Sequence, residues 1–327
     1  MSGTTAPIGS GRTVIVGPVR YAELCGRGRR LLLDNGFTLI ENETTVPWEA
    51  EQLNAVVGSA DAAVVGVEVF DEAALRRADS LRILSRLGVG LDNIDLEFAR
   101  ERGVDVVNVP GGNAAAVAEL ALGLMLSSLR SITRMDRAVR DGRWDRYVGR
   151  ELAGKTICLL GFGATAQVTA RRLSGFGVTI RAYDPYGDAG IAADLGVELV
   201  SLHAAVAEAD IVSVHVPHLP STHHLVDDAL IASMRTGVVV INTSRGGTVD
   251  EAALLRGLDS GRIAGAGLDV FETEPVDSRN PLFSHESVIT SPHAAADTLE
   301  AYERIGWATA QAIVDVFSGR RPENIAN

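Results

Sequence analysis

The chain has 327 residues, 46% hydrophobic and 22% charged, a length that suits two compact domains with cores of their own. A net charge of -12 without any block of Lys or Arg argues against nucleic acid or an acidic membrane as partner. Two cysteines, Cys25 and Cys158, cannot build a disulfide framework, the N-terminus carries no apolar leader, and no run of 18 apolar residues occurs, so a soluble, cytoplasmic protein is expected.

From Thr13 onward, short β-branched runs alternate with polar or amphipathic stretches: TVIVG, FTLIE, AAVVG, LRILSRLG and VDVVNVP. This rhythm predicts a parallel sheet wrapped by helices. The breakers in VPGGN, Val109 to Asn113, end that unit, and AAAVAELALGLMLSSLRSITRMDRAVRDG then predicts one long helix. Trp144, in RDGRWD, is expected to pack between that helix and the segment after it. A second series follows, with strands TICLLG, VTIRAYD, IVSVHVP, GVVVINT, AGAGLDV and SVITSP. The closing segment, TLEAYERIGWATAQAIVDVFSG, is amphipathic and has no later strand to pair with. It can pack on either unit, and folding back on the first makes that domain discontinuous. The fold class read from this pattern is α/β, with two Rossmann/flavodoxin-like doubly wound parallel sheets.

In TICLLGFGATAQVTARRL a strand runs into a helix through Gly161, Gly163 and Ala166, the pattern G-x-G-x-x-G/A. The first glycine takes the tight bend, the second lets the backbone approach a pyrophosphate, and the small third residue allows close helix–strand packing. Such a triplet alone is weak, since glycine turns are common where strands meet helices. Asp184 strengthens it: the residue closes the next strand, 21 positions after Gly163, where a carboxylate can accept bonds from ribose hydroxyls. The same charge repels a 2′-phosphate, and PYGD after Asp184 offers no arginine to hold one, so NAD is preferred over NADP.

Three later strands end on residues with chemistry. GVVVINTSRGG places Arg245 just past a strand, AGAGLDVFETEP places Asp269 at a strand end with Glu274 before a proline, and SVITSPH ends on His293. Ligands of open α/β sheets bind at the carboxyl ends of strands. A fixed cation, a carboxylate and an imidazole suit proton transfer to a carbonyl beside a carboxylate. Each residue alone also has a plain structural explanation: a surface ion pair, a solvated acid, a cap.

These stretches resemble the D-isomer-specific 2-hydroxyacid dehydrogenases over nearly the whole chain. The resemblance rests on SRLGVGLDNIDLEFARERGVDVVNVPGGNAAAVAELALGLML, GRELAGKTICLLGFGATA, YDPY, ADIVSVHVP, INTSRGGTVDEAAL, GLDVFETEP and SPHAAA, in that order. It implies that Arg245 binds the carboxylate and carbonyl oxygen of a 2-oxo acid, that His293 is the acid/base with Glu274 as partner, and that Asp269 lies near the nicotinamide carboxamide. It also implies that backbone N–H groups at Val89 and Gly90 hold the substrate carboxylate. Residues 1–112 and 296–327 would form the substrate domain and 113–295 the NAD-binding domain, through which subunits pair as a homodimer. Thr243, at the end of the strand before Arg245, joins Gly161, Gly163, Ala166, Asp184 and Asp269 as expected cofactor contacts. The expected activity is that of an NAD-dependent D-2-hydroxyacid dehydrogenase, in which hydride reaches the carbonyl carbon while His293, as imidazolium, protonates the oxygen.

Some stretches depart from the family pattern. GFGATA lacks the usual arginine-isoleucine pair. Where relatives acting on 3-phosphoglycerate carry an Arg-Ser pair, this chain has Gly66 to Val69, with Glu68 adding the wrong charge, so that substrate is disfavoured unless Arg20 or Arg86 substitutes. The chain stops at Asn327, and feedback control through a further domain is not expected. HVPHLPSTHH brings His215, His218, His223 and His224 together, but without a nearby cysteine and with two prolines in the spacing, no metal is expected. The rival reading from another class is an NAD(H)-binding, corepressor-like sensor. A third is a family member acting on a phosphonate or similar anion.

Overall fold

The structure is a computed structural model and describes residues 6–327. Two compact units emerge, one running up to Asn113 and resuming at Asp297–Asn327, the other Ala114–Ala296.

The first unit holds β1 (Thr13–Val16), β2 (Thr38–Glu41), β3 (Ala62–Val65), β4 (Ile83–Arg86) and β5 (Asp105–Val107). All are parallel, in the order β2-β1-β3-β4-β5. Side chains alternate across the pleat, so Val14, Val16, Ala62, Val64 and Ile83 enter one core while Ile15, Ala63, Val65 and Leu84 enter another on the opposite face. The first core is closed by the helices Gly26–Asp34 and Leu299–Phe317. The second of these is the amphipathic closing segment. Thr298 caps its start by accepting from the Ala301 N–H, and Ser85 Oγ of β4 donates to Thr309 O at 3.0 Å, which settles where that segment packs. Beyond it, Ile325 forms an antiparallel bridge with Val107 and covers the edge of β5.

The second unit holds β6 (Thr156–Leu160), β7 (Thr179–Tyr183), β8 (Val197–Leu199), β9 (Ile211–Val214), β10 (Val238–Asn242), β11 (Ile263–Leu268) and β12 (Val288–Thr290). They are parallel throughout, in the order β12-β11-β10-β9-β6-β7-β8. The direction of strand addition reverses between β6 and β9, the switch point where such sheets open a crevice at their carboxyl ends. Both faces are again buried: Cys158, Leu160, Val212 and Val240 on one, Ile157, Leu159, Ile211 and Ile241 on the other.

Three expectations need correction. The long helix is two, Ala114–Arg130 and Ile132–Arg140, bent by 66° where Ser131 takes a left-handed φ of 51°. Arg150 N–H takes up the Leu129 carbonyl at 2.9 Å beside the break. Trp144 does not pack: it is 84% exposed, and Val148 is 103% exposed, on a stretch without regular structure. Strand β8 was not expected, because it has three residues of which only Val197 is buried, too little for a periodic signal. Among the described residues no single helix is long and apolar enough to cross a membrane.

Both cysteines are free and buried, and burial pushes each thiol up to about 12.

Candidate active site at the carboxyl edge of the second sheet

At the end of β6, Gly161 takes φ 96°, and a Cβ there would lie 2.9 Å from the main-chain carbon of His215 at the end of β9. The turn therefore sits against the switch point, and only glycine fits it. Gly163 caps the ten-residue helix Ala164–Leu173 without any side-chain bond to its first amides, and a Cβ on Gly163 would meet nothing. First-turn N–H groups facing open space are an anion site in waiting. Ala166 is fully buried on the inner side of that helix, packed in one core with Ala121 and Leu124. Asp184 fastens the turn to β7: its Oδ2 accepts from Phe162 N at 2.8 Å and its Oδ1 from Tyr186 N at 2.8 Å. Thr243, just past β10, is buried and its Oγ1 lacks a hydrogen-bond partner. His215 bonds Ser213 Oγ at 2.9 Å, and desolvation pushes its pKa down to about 4, so the ring is uncharged near neutral pH. An uncapped helix start, a carboxylate 21 residues on and an unpartnered hydroxyl fit a dinucleotide.

The three neighbouring strands β10, β11 and β12 carry the remaining residues. After β10 the side chain of Asn242 donates to Arg245 O at 3.0 Å while its Oδ1 accepts from Ser244 N at 3.0 Å, and Thr248 Oγ1 also donates to Arg245 O, at 2.6 Å. The backbone of Arg245 is thus fixed from two sides, and its guanidinium donates to Ser244 O at 2.8 Å. At Gly246 a Cβ would fall 1.8 Å from Phe271 O, so the loop after β10 lies directly on the loop after β11. The amide of Phe271 donates to Glu274 Oε1 at 2.9 Å, and Glu274 Oε2 lies 2.6 Å from His293 Nδ1. With a carboxylate as acceptor, Nδ1 carries the proton and Nε2 remains for a substrate. His293 and Glu274 are both partly exposed.

Asp269 stands apart in its surroundings. Its side chain has no exposed surface, and it accepts from Ser291 Oγ at 2.6 Å, Ala294 N at 2.9 Å and Ala295 N at 2.9 Å. Sequence reasoning missed Asn242, Thr248, Phe271 and Ser291, which hold the loops. Only Asn242 carried a legible signal, as an Asx turn in NTS.

A sequence profile of the NAD-binding domain of D-isomer-specific 2-hydroxyacid dehydrogenases matches residues 122–295, more than half of the chain. The chain belongs to that family. The hydroxypyruvate reductase of Thermotoga maritima is 43% identical to it over 79% of this chain and 85% of its own length. A D-3-phosphoglycerate dehydrogenase of Archaeoglobus fulgidus is 39% identical over 88% of this chain and 55% of its own, so the chain spans about half the length of that relative. The D-lactate dehydrogenase of Aquifex aeolicus, solved with NAD and lactic acid, is 26% identical and matches with a TM-score of 0.81 over 94% of this chain and 96% of its own. The second unit is accordingly the family's NAD-binding domain, and NAD its cofactor.

In the first unit, Val89 and Gly90 follow β4 on a loop held from within. Arg86 donates to Gly90 O at 2.9 Å and Leu87 O at 2.7 Å, and Asn108 donates to Val89 O at 2.7 Å. Arg86 is therefore engaged with its own loop, and Arg20 pairs with Glu23 at 2.6 Å. Glu68 corrects an expectation: its side chain is buried, accepts from Gly66 N at 2.6 Å, and burial pushes its pKa up. What this segment exposes is Val67 and Val69, so it offers a phosphate apolar surface, not a repelling charge. Among the described residues no group of three or more His, Cys, Asp or Glu could hold a metal; His223 stacks on His224 with ring centroids 3.9 Å apart.

Proposed function

We propose that this protein interconverts a 2-oxo acid and a D-2-hydroxy acid with NAD. The observation that carries the reading is the 2.6 Å Glu274–His293 hydrogen bond on the strand end next to the loop of Arg245. NAD, when bound, supplies or accepts the hydride. The side chain of Arg245 holds the substrate carboxylate and stabilises negative charge on the carbonyl oxygen. In reduction His293 Nε2 delivers a proton to that oxygen, and in oxidation it takes the hydroxyl proton. Glu274 keeps the ring oriented and stabilises it while it is cationic. Backbone N–H groups of Val89 and Gly90 are assigned to the carboxylate. The first turn of Ala164–Leu173, with Gly161, Gly163 and Ala166 shaping it, is assigned to the pyrophosphate, Asp184 to the adenosine ribose, and Thr243 to the cofactor through its unpartnered hydroxyl.

The test is NADH oxidation with glyoxylate, pyruvate, hydroxypyruvate, a branched 2-oxo acid and phosphonopyruvate. Turnover with a D-hydroxy product is expected on at least one of the first four. NADH binding without turnover on any of them points instead to a sensor of the corepressor kind.

The working unit in this reading is a cytoplasmic homodimer. Trp144, Val148, Ile132 and Val139 expose apolar surface on one stretch of the second unit, and a second copy of the chain is the partner that would cover them. Trp144→Ser combined with Val148→Ser is expected to shift the protein to monomer in light scattering, with its melting transition retained; an unchanged mass would move the interface elsewhere.

A further inference from the structure

We propose that Glu68 is a positioning residue for the loop that carries Val89 and Gly90, acting through Asn93. The proposal rests on the reading of those two amides as the seat of the substrate carboxylate.

Glu68 lies just beyond β3 and is 3% exposed, while Val67 and Val69 on either side of it are 62% and 58% exposed. The acid is folded inward and its apolar neighbours face water, the reverse of what solvation alone would choose. Two glycines make the room for it. A Cβ on Gly17 would fall 2.5 Å from Glu68 Oε2, and one on Gly66 would fall 3.0 Å from the same atom. Gly17 is itself pinned, its N–H donating to Val64 O at 3.1 Å and its carbonyl accepting from Asn42 Nδ2 at 3.0 Å. In this cradle Oε2 accepts from Gly66 N at 2.6 Å, while Oε1 is buried without a hydrogen-bond partner. An unmet buried acceptor is unfavourable, so the inward pose has to be held by a gain elsewhere.

That gain is the curl of the chain from Gly66 to Glu68. It turns two carbonyls the same way, and Asn93 Nδ2 donates to both, to Gly66 O at 3.1 Å and to Glu68 O at 2.6 Å. Asn93 closes the loop that begins at Leu87. At its far end Phe70 N donates to Asn93 O at 2.9 Å, and at its near end Leu87 N donates to Val65 O at 2.8 Å. Both ends of the loop are therefore fastened to the stretch that Glu68 shapes. Between them Arg86 draws the carbonyls of Leu87 and Gly90 to itself. Val89 and Gly90 thus sit in a loop whose far anchor exists only while Gly66 and Glu68 stay curled.

Amides that hold a carboxylate in both the ground state and the transition state contribute uniform binding, whose loss raises KM and spares kcat. Glu68→Ala is expected to raise KM for the 2-oxo acid about 10-fold, the equivalent of one lost hydrogen bond, with kcat within about 3-fold. Affinity for NADH, which binds the second unit, should be unchanged by fluorescence titration. Glu68→Gln keeps an oxygen for Gly66 N and should restore most of the loss. Asn93→Ser acts from outside the cradle and should reproduce the rise in KM.

Gly17→Ala tests the cradle with the acid still present. Its methyl group displaces the carboxyl and should raise KM as Glu68→Ala does, whereas in a Glu68→Ala background the same methyl enters vacated space and should cost nothing further. Hydrogen exchange supplies a readout without turnover: amides of residues 87–93 should exchange faster in Glu68→Ala, Gly17→Ala and Asn93→Ser, with the strands of the first unit still protected. Unchanged KM in Asn93→Ser or Gly17→Ala, or exchange that rises equally throughout the first unit, overturns the proposal. Absence of turnover in the wild type with every 2-oxo acid overturns the catalytic reading instead, and the exchange of residues 87–93 then decides the role of Glu68.

Discussion

His293→Ala is expected to lower kcat by about 10²–10⁴-fold while NADH still binds, the range typical of a lost general acid/base. The ring is the group that can carry a proton between solvent and a substrate oxygen, since Glu274 is occupied by Phe271 N and by Nδ1 of the same ring. The helix start at Gly163, which is assigned to the pyrophosphate, belongs to β6 and lies outside the loop that carries His293, so cofactor affinity should survive. Alanine also inherits the left-handed backbone at this position, which it tolerates poorly. His293→Asn separates the two effects, because asparagine accepts that backbone while supplying no acid or base. Equal losses in both variants assign the effect to the missing imidazole. A variant with turnover intact would remove His293 from the mechanism.

Arg245→Ala should cost about 10³-fold in kcat/KM, with both a higher KM for the 2-oxo acid and a lower kcat. Two interactions leave together: the bidentate grip on the carboxylate and the charge opposite the developing alkoxide, the latter alone worth roughly 3–4 kcal/mol in comparable sites. Folding should be spared, because the main-chain oxygen of Arg245 is held by Asn242 and Thr248, bonds that the substitution leaves in place. Arg245→Lys restores charge without the planar fork and is expected to recover kcat more than KM. An unchanged KM for the 2-oxo acid in Arg245→Ala would move the carboxylate site elsewhere.

Much of the architecture could be read from residue periodicity because its strands are buried on both faces. Runs such as VVVI and AAVV have no polar residue to hide their nature, and the sheets they build are parallel. The reading failed where the signal is local or conformational. The break at Ser131 leaves the apolar stripe of the helix almost in phase, so periodicity runs straight across it. Trp144 was expected to pack between the helix and the segment after it, yet no helix or strand shields it. In the candidate site, residue types at strand ends marked Arg245, Glu274 and His293, but the left-handed φ of His293 and the burial of Asp269 leave no trace in composition. Glu68 shows the same limit from the other side: an acid in a loop reads as solvated until the backbone turns it inward toward Gly66 N.

The inertness of Cys25 and Cys158 has a practical consequence. Both sulfurs are enclosed and stay protonated at neutral pH, so alkylating and maleimide reagents should leave the native chain unmarked. A cysteine installed at an exposed position, Tyr186 in the second unit or Val46 in the first, would then be the sole point of attachment for a fluorophore or spin label. One such site in each unit would let the separation of the two be followed in solution as nucleotide and oxo acid are added.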